Sequence, residues 1–199
     1  LEGYCKQCLP FIRGFKKLGC EVTVLCHTKL DCGYVSRLPD HRIIGICDLK
    51  RPKESEQYII KLIKTGKFDL VYPLFDFSAR ILAHNKEKLS KYAVIYANEK
   101  DIFDRANDKN EVMRVCMKNH IPCPRTLFDV KTMREIEAGH LEFPIIIKPR
   151  RMYGARGYHR FDSLDEMYRY VRQRGINLSD YVVQEFIPEG SRVMGANMF

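Results

Sequence analysis

The sequence contains no apolar run approaching the roughly 18 residues that a membrane-spanning helix needs, and no charged-then-apolar segment opens it. A membrane partner and a visible signal peptide are therefore not expected. No Gly-x-Gly-x-x-Gly follows any apolar run, so a dinucleotide site of that kind has no support. There is no long Lys/Arg run and no nucleic-acid signature, and neither repeats nor low-complexity stretches occur. A second C-x-x-C is also missing. Cys5-Lys-Gln-Cys8 has the spacing of a zinc or redox pair, but a structural zinc needs two such pairs.

What is present is an ordinary globular mixture of 199 residues, 45% hydrophobic and 30% charged, enough for one or two domains with cores. The net charge of +9 fits an anionic partner or a basic surface with no special partner. The basic residues are scattered, so a nucleotide or other small phosphate fits at least as well as a polymer. Of the eight cysteines, Cys20, Cys26 and Cys47 lie in apolar stretches, where a free thiol acts as a small hydrophobe. This usage points to a reducing, cytoplasmic setting. Leu1 and Phe199 both read as cuts through a longer protein.

Hydrophobic periodicity predicts a helix over 5–18 and a buried strand over 21–26, separated by Gly19. Residues 43–47 form another short apolar run. A helix is expected over 54–65, a strand over 69–74, a helix over 77–84 and a strand over 93–96. Alternating strands and helices imply an α/β unit with a parallel sheet, whose ligands sit at the carboxyl ends of the strands. The opening helix has no strand before it, which fits the removal of a first strand and its turn. The second half predicts a helix over 108–119 and a rigid connector, Ile121-Pro-Cys-Pro-Arg125. A strand over 126–130, a helix over 132–138 and a strand over 143–149 follow. After a loop at 150–158, a returning strand is expected at 159–161. Ser163 with Glu166 looks like a capping box opening a helix over 164–174 that Gly175 ends. Strands over 181–187 and 192–199 complete the pattern.

Three segments carry chemistry. In Ile145-Ile-Ile-Lys148-Pro149 a buried strand ends on a lysine, beside a loop holding Gly154, Gly157, Arg150, Arg151 and Arg156. A partly buried ammonium needs compensation, which a phosphate supplies, and glycines let backbone N–H groups approach an anion. The same pattern also describes a hairpin with solvated basic tips. Tyr181-Val-Val-Gln184-Glu185-Phe186-Ile187-Pro188 is an apolar strand that breaks at polar residues. Its free backbone groups suit the edge of an adenine ring, or it is an ordinary amphipathic strand. Asp108-Lys109 opens a helix; alone, Lys109 reads as a surface lysine.

In this order and at these separations the three segments resemble the ATP-grasp superfamily, from about Asp108 to the last residue. The preceding region, with Asp69-Leu-Val-Tyr-Pro73 and then Asp76, is similar to its pre-ATP-grasp domain. The nearest groups suggested are the carbamoyl phosphate synthetase large-subunit-like proteins and the carboxylate–amine ligases. The resemblance implies a pre-ATP-grasp, Rossmann-like parallel-sheet domain over 1–107. Over 108–199 it implies a truncated N-terminal ATP-grasp lobe, with a lid over about 141–187 and the start of the C-terminal lobe.

It also implies that Lys109 and Lys148 contact the ATP phosphates and that Arg150, Gly154, Arg156 and Gly157 belong to the lid. Gln184, Glu185, Phe186 and Ile187 become the hinge. There the Glu185 carbonyl accepts from the adenine amino group, the Ile187 amide donates to a ring nitrogen, and the Gln184 side chain adds a contact. Glu189 is a looser candidate for the ribose. The lid departs from many relatives in having two glycines rather than a longer run, and Gln184 stands where several carry an acid. Catalytic residues and the Mg2+ ligands are expected beyond Phe199, so the fragment alone is expected to be inactive.

The implied reaction transfers the ATP γ-phosphoryl to a small-molecule carboxylate, and an amine or similar nucleophile then displaces phosphate. A non-catalytic nucleotide-binding module and, on charge alone, a nucleic-acid-binding protein are the competing classes. A homo-oligomer is compatible with either reading of the site.

Overall fold

The computed structural model describes residues 1–139, 141–152 and 157–188. The chain divides into two compact units, Leu1–Asp104 and Arg105–Phe199.

The first unit alternates helices and strands, as the periodicity predicts. Its elements are α1 (Cys8–Lys17), β1 (Thr23–Cys26), α2 (Cys32–Val35), β2 (His41–Ile44), α3 (Pro52–Ile63), β3 (Leu70–Val71), α4 (Asp76–Leu89) and β4 (Val94–Ile95). β1 pairs in parallel with β2 and β3 with β4, in registers that set Leu25 beside Ile43 and Leu70 beside Val94. α1 buries Cys8 and Ile12 and stops at Lys17 because Gly19 adopts φ +78°. Leu18, expected on the buried stripe, therefore lies past the helix and is exposed. Pro52 begins α3, where its missing N–H costs nothing, and Ile59 and Ile63 of that helix are fully buried. Each such burial contributes about 1.5–3 kcal/mol. α2 has no counterpart in the sequence pattern, being a single turn too short to show a period.

The start of the chain runs between the two strand pairs. The Leu1 amine donates to the Tyr72 carbonyl (2.7 Å), and the Gly3 amide donates to the Leu25 carbonyl (2.7 Å). A groove of about 760 Å3 is lined by Leu1, Phe15, Val22, Val24, Leu70 and Tyr72 among others. Cys8 belongs to the small core under α1, packed with Ile12, Val24 and Cys26, and burial pushes its thiol up to about 11. The division between the units falls within α5 (Lys100–Asn107), a helix the apolar pattern does not mark because it buries no residue.

The second unit contains α6 (Lys109–Lys118), β5 (Thr126–Leu127), α7 (Met133–Ala138), β6 (Ile145–Pro149), β7 (His159–Phe161), α8 (Leu164–Arg174) and β8 (Tyr181–Glu185). Its sheet is antiparallel with strand order β5-β8-β6-β7. Alternation along β6 sends Ile145 and Ile147 into a core with Ile136, Phe161, Met167, Leu178 and Val183. α8 starts at Ser163, whose hydroxyl accepts from the Glu166 amide (3.3 Å), and ends at Gly175 in the left-handed region. The Glu166 carboxylate reaches the Asp162 amide rather than that of Ser163, so the box is displaced by one residue. A complete capping box forms instead at Thr132 and Glu135, opening α7. β5 is shorter than expected because Asp129 takes φ +56°, which no strand accommodates. The strand expected over 192–199 lies outside the described residues.

Candidate functional site

β6 and β8 are neighbours, and their register puts Ile146 opposite Gln184 and Lys148 opposite Val182. Paired residues in an antiparallel ladder share a face. Ile146, Lys148, Val182 and Gln184 thus occupy the face opposite the one that Ile145, Ile147 and Val183 pack into the core. Lys148 and Gln184, 36 positions apart in sequence, come onto one surface because two strands of the same hairpin-rich sheet align them.

Lys148 is half-buried, and its amine makes no hydrogen bond or ion pair among the described residues. Burial holds it below its ordinary value, and the nearby Lys109 ammonium lowers it further. Two cations have been brought close enough to oppose each other's charge. Lys109 is the first residue of α6; its amide donates to the Arg150 carbonyl (3.1 Å). Its amine donates to the same carbonyl (3.3 Å) and to that of Met152. The chain leaving β6 therefore offers carbonyls to the Lys109 ammonium.

Arg150 directs its guanidinium away from this cluster and onto Asp108. Nε donates to Oδ1 (3.0 Å) and Nη2 to Oδ2 (2.8 Å), while Nη1 reaches the Ser179 carbonyl (3.3 Å). Arg151 adds a second cation to Asp108 Oδ2. Asp108 is 1% exposed and also accepts from the Asn110 amide as the cap of α6. Burial opposes its ionised form, but the Arg150 hydrogen bonds and charge, the Asn110 amide and Arg151 outweigh this and hold its carboxyl below the usual range.

At the other end of the face, Gln184 is 1% exposed. Its Nε2 donates to the Thr126 hydroxyl (2.7 Å), and its Oε1 is a buried acceptor without a donor among the described residues. Glu185 is fixed to the connector: its amide donates to the Arg125 carbonyl (3.0 Å) and its carboxylate accepts from the Arg125 amide (2.8 Å). The Phe186 amide donates to the Pro144 carbonyl (3.2 Å), and its ring lies under the Arg160 guanidinium at 4.4 Å. Ile187 is 50% exposed, and its amide makes no hydrogen bond among the described residues. Gly157 takes φ +72°, and a Cβ there would meet Pro149 at 2.8 Å, so this position closes the loop against β6 only as glycine. Gly154, Arg156 and Glu189 lie outside the described residues.

The structure thus brings Lys109 and Lys148 together and aligns Lys148 with Gln184 on one sheet face. It ties Arg150 to Asp108 rather than leaving its guanidinium in the cluster. Sequence reasoning passed over Asp108, Asn110 and Thr126 as participants. Asn110 is fully buried with both side-chain polar atoms unpartnered among the described residues. An Asp directly before a helix signals a cap, but nothing in its spacing from Arg150 signals the ion pair across 42 residues. No group of three or more His, Cys, Asp or Glu suited to a metal ion occurs among the described residues. Among the described residues no helix is long and apolar enough to cross a membrane.

No protein-family model and no curated protein matches the sequence. Solved structures do match. The biotin carboxylase domain of 2-oxoglutarate carboxylase from Hydrogenobacter thermophilus, complexed with MgADP, ADP and bicarbonate, is 17% identical. It superposes with a TM-score of 0.71 over 89% of this chain and 41% of its own. The L-amino acid ligase from Bacillus licheniformis is 20% identical, with a TM-score of 0.68 over 94% and 43%. N5-carboxyaminoimidazole synthetase from Staphylococcus aureus, complexed with ADP, is 17% identical, with a TM-score of 0.69 over 94% and 46%. The chain spans less than half the length of each. With a parallel α/β unit followed in sequence by a four-stranded antiparallel unit, this chain has the fold of the N-terminal part of the ATP-grasp enzymes.

Proposed function

We propose that the second unit binds ATP as part of an ATP-grasp ligase that activates a carboxylate as an acyl phosphate for attack by an amine or similar nucleophile. The observation that carries the reading is Lys148: a half-buried amine with no protein partner among the described residues, beside a second cation and on the same sheet face as an orphaned buried acceptor. A triphosphate satisfies the first two, and the exocyclic amino group of adenine satisfies the third. The adenine would lie along Gln184–Ile187. The Glu185 carbonyl would accept from its amino group, the Ile187 amide would donate to a ring nitrogen, and Gln184 Oε1 would receive the remaining amino hydrogen. Phe186 would contribute through its backbone, its ring being stacked on Arg160.

Lys109 and Lys148 would neutralise the phosphates. Arg150 would anchor the base of the lid through Asp108, and Gly157, with Gly154 and Arg156, would belong to that lid. Phosphoryl transfer of this kind depends on positioning and charge neutralisation more than on covalent chemistry by the protein. Mg2+ would arrive with the nucleotide; its ligands, and the catalytic groups, would come from the part of the ATP-grasp fold that this chain does not span. One neighbour is complexed with bicarbonate and another is an L-amino acid ligase, which favours a small carboxylate as the second substrate here. Calorimetric titration of the protein with MgATP tests the reading, with saturable binding that Lys148→Met weakens as the expected result. Absence of binding by the wild-type protein overturns it.

A further inference from the structure

The cluster that carries the nucleotide reading contains one buried anion, and it is not placed to touch a nucleotide. Asp108 is 1% exposed, and its two oxygens take Arg150, Arg151 and the Asn110 amide. Arg150 returns two links in the opposite direction, because its carbonyl accepts from both the amide and the amine of Lys109. The dipeptide Asp108–Lys109 and the residue Arg150 are thereby clasped side chain to side chain and backbone to backbone, across 42 positions of sequence. The Arg150 amide and Nη1 extend the clasp to the Asp180 and Ser179 carbonyls at the start of β8. The start of α6, the end of β6 and the entry to β8 are the three places that set Lys109, Lys148 and the hinge strand.

We infer that Asp108 is a positioning residue for the phosphate site: it fixes the Lys109-bearing helix start to the Lys148-bearing strand end through Arg150. The inference rests on the ATP reading above. Two lysines whose charges oppose each other do not stay close without a restraint, and a bidentate carboxylate–guanidinium pair is a geometrically specific one. Holding both ammonium groups in place before the nucleotide arrives reduces the ordering that binding must otherwise impose.

This role has a sign that a purely electrostatic role does not share. Removing the Asp108 charge makes the cluster more positive, so on charge alone Asp108→Asn strengthens attraction for a triphosphate. On positioning, the same change breaks the fork and weakens binding. Asn retains an oxygen that can cap the Asn110 amide, so α6 keeps its start. The discriminating measurement compares MgATP with adenosine, which lacks the phosphates, in wild-type protein and in Asp108→Asn, with the binding of each followed by NMR or calorimetry.

The expected result is a loss of about tenfold in MgATP affinity, about 1.4 kcal/mol, with adenosine affinity unchanged. Equal or tighter MgATP binding by the variant overturns the inference, as does a parallel loss for both ligands. Should Asp108→Asn fail to fold, Arg150→Lys serves in its place: it preserves the charge and removes the fork. The same selective loss is expected from it, and unchanged MgATP affinity overturns the inference. A wild-type protein that binds neither ligand defeats the ATP reading itself, an outcome separate from either variant's result.

Discussion

Lys148 illustrates how a single residue can be costly to the fold and still suit the proposed phosphate site. Its amine is held below the ordinary value of 10.5 by burial and by Lys109, so the folded state releases that proton more readily than the unfolded chain. Between the lowered folded value and 10.5 the unfolded state binds more protons, and stability rises with pH across that window. Below the folded value the full penalty remains. Lys148→Met removes it: the variant without nucleotide is expected to melt at or above the wild-type temperature at pH 7, with the difference vanishing above pH 10.5. Its MgATP affinity is expected to fall about 10- to 100-fold, corresponding to about 1.5–3 kcal/mol for a charge-assisted hydrogen bond. A variant that is clearly less stable at pH 7 would show that Lys148 already has a compensating partner. Gln184 presents the complementary case. Thr126→Val removes its one donor-side partner, leaving a buried amide unpaired at both ends, at an expected cost of about 1–3 kcal/mol in chemical denaturation.

The elements divide into those whose ends are written in local chemistry and those set by pairing. α8 was legible to the residue, because Ser163 caps it and Gly175 supplies the left-handed turn that ends it. Ser163→Ala is expected to cost about 1 kcal/mol and to leave MgATP affinity unchanged, since the hydroxyl's hydrogen bond among the described residues is to the Glu166 amide. Loss of nucleotide binding in that variant would place α8 within the site. β6 was legible from its β-branched run, and β7 as the strand returning after the glycine-containing loop. α2 and α5 were not, one because it is a single turn and the other because it buries nothing. β5 was overestimated, since the left-handed Asp129 that ends it leaves no mark in an apolar count.

The placement of Lys148 and Gln184 on adjacent strands was legible where a polar residue and a strand end coincide. The candidate site was opaque where a side chain takes a long-range partner. The Asp108–Arg150 pair spans α6 to β6, and no spacing rule connects those positions. Nor does the sequence reveal that Gln184 loses one hydrogen-bond partner on folding; that follows from burial, which depends on β5, β6 and β8 meeting.

At the scale of the whole molecule the question is what the excess of positive charge does. Lys and Arg number 34 against 25 Asp and Glu, a surplus that by itself would attract any polyanion. Much of the charge in the candidate site is already engaged: Arg150 and Arg151 on Asp108, and Arg160 on Asp162 and Phe186. The unpaired Lys148 amine is half-buried, where a flexible polymer backbone reaches less readily than a small triphosphate. The two partners also differ in their response to salt. A polymer held by six to ten surface contacts loses about 10³–10⁵ in affinity between 50 and 200 mM salt, whereas partly buried charge pairs are screened far less. Across the same range MgATP affinity is expected to change by no more than about tenfold, and a single-stranded oligonucleotide retained at low salt is expected to leave bound MgATP in place. Displacement of MgATP by the oligonucleotide at 150 mM salt, abolished for both ligands by Lys148→Met, would instead make the cluster a nucleic-acid phosphate site. The two outcomes are exclusive because a single half-buried amine decides both.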